Sequence, residues 1–119
     1  MTDSKHQTVG ATISSTSADG SATVVYTTPS SYKGAIRYLH VSNNNSATKK
    51  VSVQYYNAAS TTYHFIAKDL SMSANSVTNL ANDGTLFTHE GDKIVAFGET
   101  ANTMEVLVSV EEFFDPNRG

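Results

Sequence analysis

Two stretches decide the fold: Tyr32-Lys33-Gly34-Ala35-Ile36-Arg37-Tyr38-Leu39-His40-Val41-Ser42-Asn43 and Lys50-Val51-Ser52-Val53-Gln54-Tyr55-Tyr56-Asn57. The polar segment Asn44 to Thr48 separates them, and together they read as two β-strands of a hairpin. Side chains alternate between faces along a strand. Leu39 and Val41 therefore share a face, and Val51, Val53 and Tyr55 are placed to meet them, so these residues are the expected core. The same alternation puts Ile36, Tyr38 and His40 on the opposite face. A strand that is apolar on both sides lies between two layers or presses against another subunit.

Working outward, further short strands appear. Val9, Ala11 and Ile13 alternate within Gln7 to Ser14. Ser17-Ala18-Asp19-Gly20 is a turn, because Asp-Gly tolerates positive φ. Ala22 to Thr28 is a second strand, closed by Pro29, which cannot donate to a ladder. Past the hairpin come Thr61 to Ala67, a short run at Val77 to Leu80, a turn at Asn82-Asp83-Gly84, and Thr85 to Thr88. After Glu90-Gly91-Asp92 follow Lys93 to Gly98 and Thr103 to Val110, the last with Met104, Val106, Val108 and Val110 in unbroken alternation. No segment sustains a 3.6-residue period. Eight or nine short strands with turns roughly every 8–12 residues predict an all-β, single-domain antiparallel β-sandwich, jelly-roll or immunoglobulin-like. Arms are expected at about 1–8 and 112–119.

Composition agrees. The chain has 119 residues, 39% hydrophobic and only 16% charged, against roughly 25% charged in ordinary domains. Ser, Thr and Asn take the place of the missing charge, which suits strands with neutral hydroxyl-bearing outer faces. A net charge of −3 gives no electrostatic footprint for nucleic acid. There is no cysteine, residues 1 to 12 are polar without a leader-like apolar core, and no apolar run approaches the ~20 residues of a membrane span. Assembly in a reducing cytoplasm is expected, without membrane partners.

The search for reaction chemistry is empty. His6, His40, His64 and His89 lack metal-ligand spacing. Glu90, Asp92, Glu99 and the pair Glu111-Glu112 sit at strand ends and turns, where solvated or turn-forming carboxylates are expected. No nucleophile elbow or glycine-rich phosphate loop is present. No enzyme, cofactor or metal is predicted. Six tyrosines remain as core filler or as a sugar-stacking platform around Tyr55, Tyr56 and Tyr63. Near the end, Phe113 and Phe114 cannot both enter one core from a strand. With Asp115, and with Val9, Ile36, Tyr38 and His40, they form the predicted partner-docking set.

The segments Ala35 to Asn43 and Val51 to Asn57 carry a resemblance. So do Leu80 with Asn82-Asp83-Gly84, Glu90-Gly91-Asp92-Lys93-Ile94, and Met104-Glu105-Val106-Leu107-Val108-Ser109-Val110-Glu111-Glu112. Over Ile36 to Glu112 the chain resembles small β-sandwich structural proteins of tailed bacteriophages. The resemblance implies a virion protein made in the bacterial host cytoplasm, most simply a head decoration or cement protein on the major capsid protein. A tail, baseplate or fibre component is the alternative, and a carbohydrate- or receptor-binding module comes from the tyrosines. It also implies a homo-oligomer, a trimer among the forms allowed. In that setting Thr2 to Val9 and Glu112 to Arg118 would reach neighbouring subunits.

Overall fold

Met104, Val106, Val108 and Val110 do line one side of a strand, and that strand lies inside the first of two sheets. The computed structural model describes residues 4–81 and 86–114. Its strands are β1 Ser4–Thr12, β2 Thr23–Thr27, β3 Tyr32–Asn43, β4 Lys49–Asn57, β5 Thr62–Met72, β6 Val77–Asn79, β7 Leu86–Thr88, β8 Lys93–Gly98 and β9 Met104–Phe114. A single 3-10 turn, Asp19–Ser21, lies between β1 and β2. The first sheet runs β1-β9-β3-β6, with β7 also paired to β3; the second runs β2-β8-β4-β5. All pairings are antiparallel.

Chain order and sheet order interleave. β1, β3, β6, β7 and β9 form one layer, and β2, β4, β5 and β8 the other. If β6 and β7 are taken as one interrupted edge, this is the eight-strand, double Greek-key jelly roll. The immunoglobulin-like arrangement, which keeps more sequence neighbours within a sheet, is set aside. The core lies between the layers. Ile36, Leu39, Val41, Val106, Val108 and Val110 from one sheet meet Val51, Val53, Ile94 and Ala96 from the other.

The expected hairpin is corrected here. β3 and β4 are joined through residues 44–48 but belong to different sheets. Leu39 and Val41 do face Val51 and Val53, across the sandwich rather than along a ladder. Alternation marks which face is buried, and it is the same whether the partner is a neighbouring strand or an opposing sheet. What makes the corner is Asn43, completely buried at the end of β3. Its amide nitrogen lies 3.0 Å from the carbonyl oxygens of Ala47 and Met72 and 3.2 Å from that of Ser73, while its Oδ1 accepts the Asn45 N–H. The loop is thereby tied to the end of β5. The Asp19-Gly20 turn is also a crossing between layers. Asp19 has φ 58°, and its N–H and carboxylate bond the buried Gln54 amide of β4.

The arms also need correction. Residues 4–8 belong to β1 and residues 112–114 to β9, and the two segments pair with each other, Ser4 opposite Phe113 and Lys5 opposite Glu112. Ile13, just past β1, is fully buried. The turn expected at residues 82–84, and Asp115 with the rest of the tail, lie outside the described residues.

Because Asn43 satisfies several carbonyls at once, replacing it leaves buried acceptors unpaired. Asn43→Ala should lower the unfolding free energy by about 2 kcal/mol. The exposed neighbour Asn44→Ala should change it by less than about 0.5 kcal/mol. Urea titration of both variants checks this.

Candidate functional site

One extra residue in β3 creates the candidate surface. β3 has twelve residues and β9 has eleven, and the register slips between Ile36 and Tyr38. Arg37 is the bulged residue. Before it, Ile36 opposite Val110 points inward; after it, Leu39 opposite Val108 points inward again. Strict alternation would have put Ile36 on the same side as Tyr38 and His40. The bulge places it instead in the core, fully buried, so Ile36 is removed from the docking set. Val9 is removed for a similar reason, since it packs against the core from β1.

Tyr38 and His40 do face outward, and they stack on each other with ring centroids 3.8 Å apart. Around them on the first sheet's outer face lie Leu107 of β9, 43% exposed, Val77 of β6, 58% exposed, and Phe87 of β7, 63% exposed. Phe113, half-buried opposite Lys33, belongs to the same face. Phe114 projects at the end of the ladder and meets the Tyr32 ring edge-on at 5.5 Å. Two shallow hollows mark the face. One of about 340 Å³ involves Gly10, His40, Ser42, Val77, Glu105 and Leu107. Another of about 360 Å³ lies among Lys33, Gly34, Phe87, Thr88, His89 and Phe113. Charges at the margin are neutralised locally: Arg37 bonds Glu111 at 2.8 Å, and His6 lies 3.6 Å from the same carboxylate.

Leu107, Val77 and Phe87 lie outside the docking set that the sequence predicts. Leu107 carries a signal, since it is an apolar residue at an outward position between Val106 and Val108. Val77 and Phe87 sit on three-residue strands, too short for a period to show.

The outer face of the second sheet differs. Tyr56 and Tyr63 pair across β4 and β5 with centroids 4.7 Å apart, and Phe65 meets Phe97 at 6.3 Å. Lys93 lies over the Tyr56 ring and Lys68 over the Phe65 ring. Tyr55 does not join this row. It turns inward and donates its hydroxyl to the Asp92 carboxylate.

Polar groups buried beneath these faces are used structurally. Glu112, fully buried on β9, accepts hydrogen bonds from the Tyr26 hydroxyl at 2.5 Å and the Gln7 amide at 2.8 Å, and lies 3.6 Å from the Lys5 ammonium. Gly34 makes room beside it. A Cβ there would stand 2.6 Å from Thr88 Oγ1 and 3.3 Å from Tyr26 Oη. Asp92, also buried, accepts from the backbone N–H groups of Ala58 and His89, tying two turns together. Among the described residues no group of three or more His, Asp or Glu is placed to hold a metal ion. No helix among them is long and apolar enough to cross a membrane.

No family model matches the chain, and no curated protein is similar to it. Among solved structures, a Bacillus endospore appendage, a pilus of a disulfide-linked family, is similar over 96% of this chain and 88% of that one, with TM-score 0.53 and 12% identity. The globular domain of the zebrafish complement 1qA protein covers 96% of this chain and 98% of its own, with TM-score 0.35 and 13% identity. The first likeness is one of fold, a two-sheet β-sandwich. Neither of these two structures is a bacteriophage protein.

Burial, the hydrogen bond to Glu112 and the charge of Glu112, in that order, raise the Tyr26 phenol well above its ordinary range. Burial and Asp92 do the same to Tyr55. In the unfolded chain both ionise near pH ~10. Above that pH the unfolded state binds fewer protons than the folded one, so stability falls as pH rises. The Tyr26 contribution should approach about 1.4 kcal/mol per pH unit, with a smaller share from the less buried Tyr55. Below pH ~9 neither tyrosine should make stability depend on pH. In urea titrations at pH 8 and pH 11, Tyr26→Phe should be less stable than the parent at pH 8 yet lose less between the two.

Proposed function

We propose that the protein is a non-enzymatic structural subunit of an assembled particle, and specifically a tailed-bacteriophage virion protein of the head-decoration or cement kind. The observation that carries this reading is the outer face of the β1-β9-β3 sheet. Tyr38, Val77, Phe87 and Leu107 stand exposed together there, with no convergent reactive groups beside them. Several large apolar side chains exposed on one sheet face mark a contact that another surface covers. The resemblance of Ile36 to Glu112 to phage structural proteins supplies the virion setting, assembled in the bacterial host cytoplasm on the major capsid protein. Repetition over a particle lets individually weak contacts act together through avidity. The chain has no cysteine, so disulfides from these residues do not link its copies.

Copy number in purified phage particles, counted by quantitative mass spectrometry, tests the proposal. Hundreds of copies are expected for a decoration protein. A few to a few tens would move it to tail, baseplate or fibre, and absence from particles would sink the virion reading. Leu107→Lys should disrupt the contact that covers this face and, through the avidity lost with it, weaken attachment to particles at least about tenfold, while leaving the circular dichroism spectrum of the isolated protein unchanged, because the residue is exposed.

The Tyr56–Tyr63 pair with Phe65 favours one second reading, a carbohydrate- or receptor-binding module using ring stacking. A glycan array with Tyr63→Ala as control decides it. Binding that disappears in the variant supports the module, and no binding to any glycan counts against it.

A further inference from the structure

The same face carries a pattern that matches itself. Using the β3–β9 register as a ruler, Phe87 stands at the level of Ala35 and Glu111, and Val77 at the level of Ser42 and Glu105. Both flank the same side of β3. Leu39 opposite Val108 is midway, three β9 residues from either level. Tyr38 and His40 lie one step to each side of it. Lys33 sits beyond the Phe87 end and Glu105 at the Val77 end. Both are exposed, and among the described residues neither forms an ion pair.

We infer that this face is the interface of a symmetric dimer, with a second copy of the chain as its occupant. The two-fold axis runs parallel to the sheet and across its strands at the Leu39–Val108 level. Such an axis keeps each strand over its own counterpart and reverses its direction. It sets Phe87 of one copy on Val77 of the other and the Tyr38–His40 stack on the same stack, and it brings Lys33 to within two residues' rise, one strand over, of the partner copy's Glu105. An isologous contact requires this kind of self-complementarity. Glu111 would otherwise meet the partner's Glu105 at like charge, but it already engages Arg37 and His6.

Area agrees. Four strand positions at about 4.8 Å by ten residues at about 3.4 Å give roughly 650 Å² of flat sheet. Side-chain relief raises this toward the ~800 Å² per partner of a standard interface. Aligned stacking of two twisted sheets, about 10 Å apart, is an ordinary packing mode. The other sheet's outer face is the poorer choice, because the chain's own Asp19 turn is bonded onto it through Gln54.

The inference rests on the assembly-subunit reading for the idea that this face is covered, and it is tested without particles. Sedimentation equilibrium of the intact protein should show a mass rising with concentration to twice that of the chain. Lys33→Glu should weaken the dimer by about tenfold or more, since it places two like-charge contacts in the interface, whereas Glu105→Lys loses the Lys33 contact but gains one with the partner's Glu111 and should weaken it less. The double exchange should return the dissociation constant to near the parent value. Phe87→Ser should weaken it by about a hundredfold, because the axis uses the residue twice. A protein that stays monomeric or forms a trimer overturns the inference, as does a double exchange no tighter than Lys33→Glu alone. A monomer that still binds particles removes the dimer and keeps the virion role. A dimer absent from particles does the reverse.

Discussion

The ladder between β3 and β9 is the constraint on which the rest depends. Eleven registered pairs run from Tyr32 opposite Phe114 to Asn43 opposite Met104, with a single unmatched residue, Arg37. The inserted residue shifts the alternation of β3 by one step, so the strand changes faces partway along its length. Without it, keeping Leu39 and Val41 in the core would turn Ile36 out to solvent. With it, both halves of β3 supply the core, and Tyr38 and His40 remain outside as a stacked pair. The core and the candidate docking surface are two sides of one local irregularity.

Around that ladder the loops are held by buried polar side chains. Asn43 fixes the β3–β4 corner, Gln54 receives the Asp19 turn, and Asp92 joins the turns at Ala58 and His89. Glu112 ties the first strand to the last and to Tyr26 of the opposite sheet. Each group finds these partners in one arrangement of the chain, and Glu112 Oε1, which accepts no hydrogen bond among the described residues, has the Lys5 ammonium 3.6 Å away. In a fold whose apolar pattern permits several strand pairings, such bonds select among them. They add specificity more than net stability, since an exchanged hydrogen bond contributes only about 1 kcal/mol.

That division explains what the residues disclosed in advance. The all-β class, the positions of β2, β6 and β8, and the inward set Leu39, Val41, Val51 and Val53 were legible because burial imposes alternation directly. Sheet membership was not. The β3–β4 connection looks like a hairpin because Asn44 to Thr48 has turn composition in either geometry, and the deciding bonds of Asn43 reach carbonyls nearly thirty residues away. The bulge was hidden because Arg37 is an ordinary outward residue in an unbulged strand. Of the expected docking residues, Tyr38, His40 and Phe113 lie on the shared face, Phe114 sits at its end, and Ile36 and Val9 turn inward. The apolar neighbours Leu107, Val77 and Phe87 come from three separate strands, and only the topology brings them together.

The placement of β9 has a consequence for how the protein is born. The last strand is an inner member of its sheet, flanked by the first strand and by β3, and the Gln7–Glu112 bond spans 105 positions of sequence. A ribosome extending the chain therefore holds a sheet that lacks one of its inner strands until β9 has emerged. β1 has no ladder partner until then, and the apolar inner side of β3 lacks its neighbour. Folding of this layer should await the emergence of β9. Its long-range closure places it among the slower folders of its size.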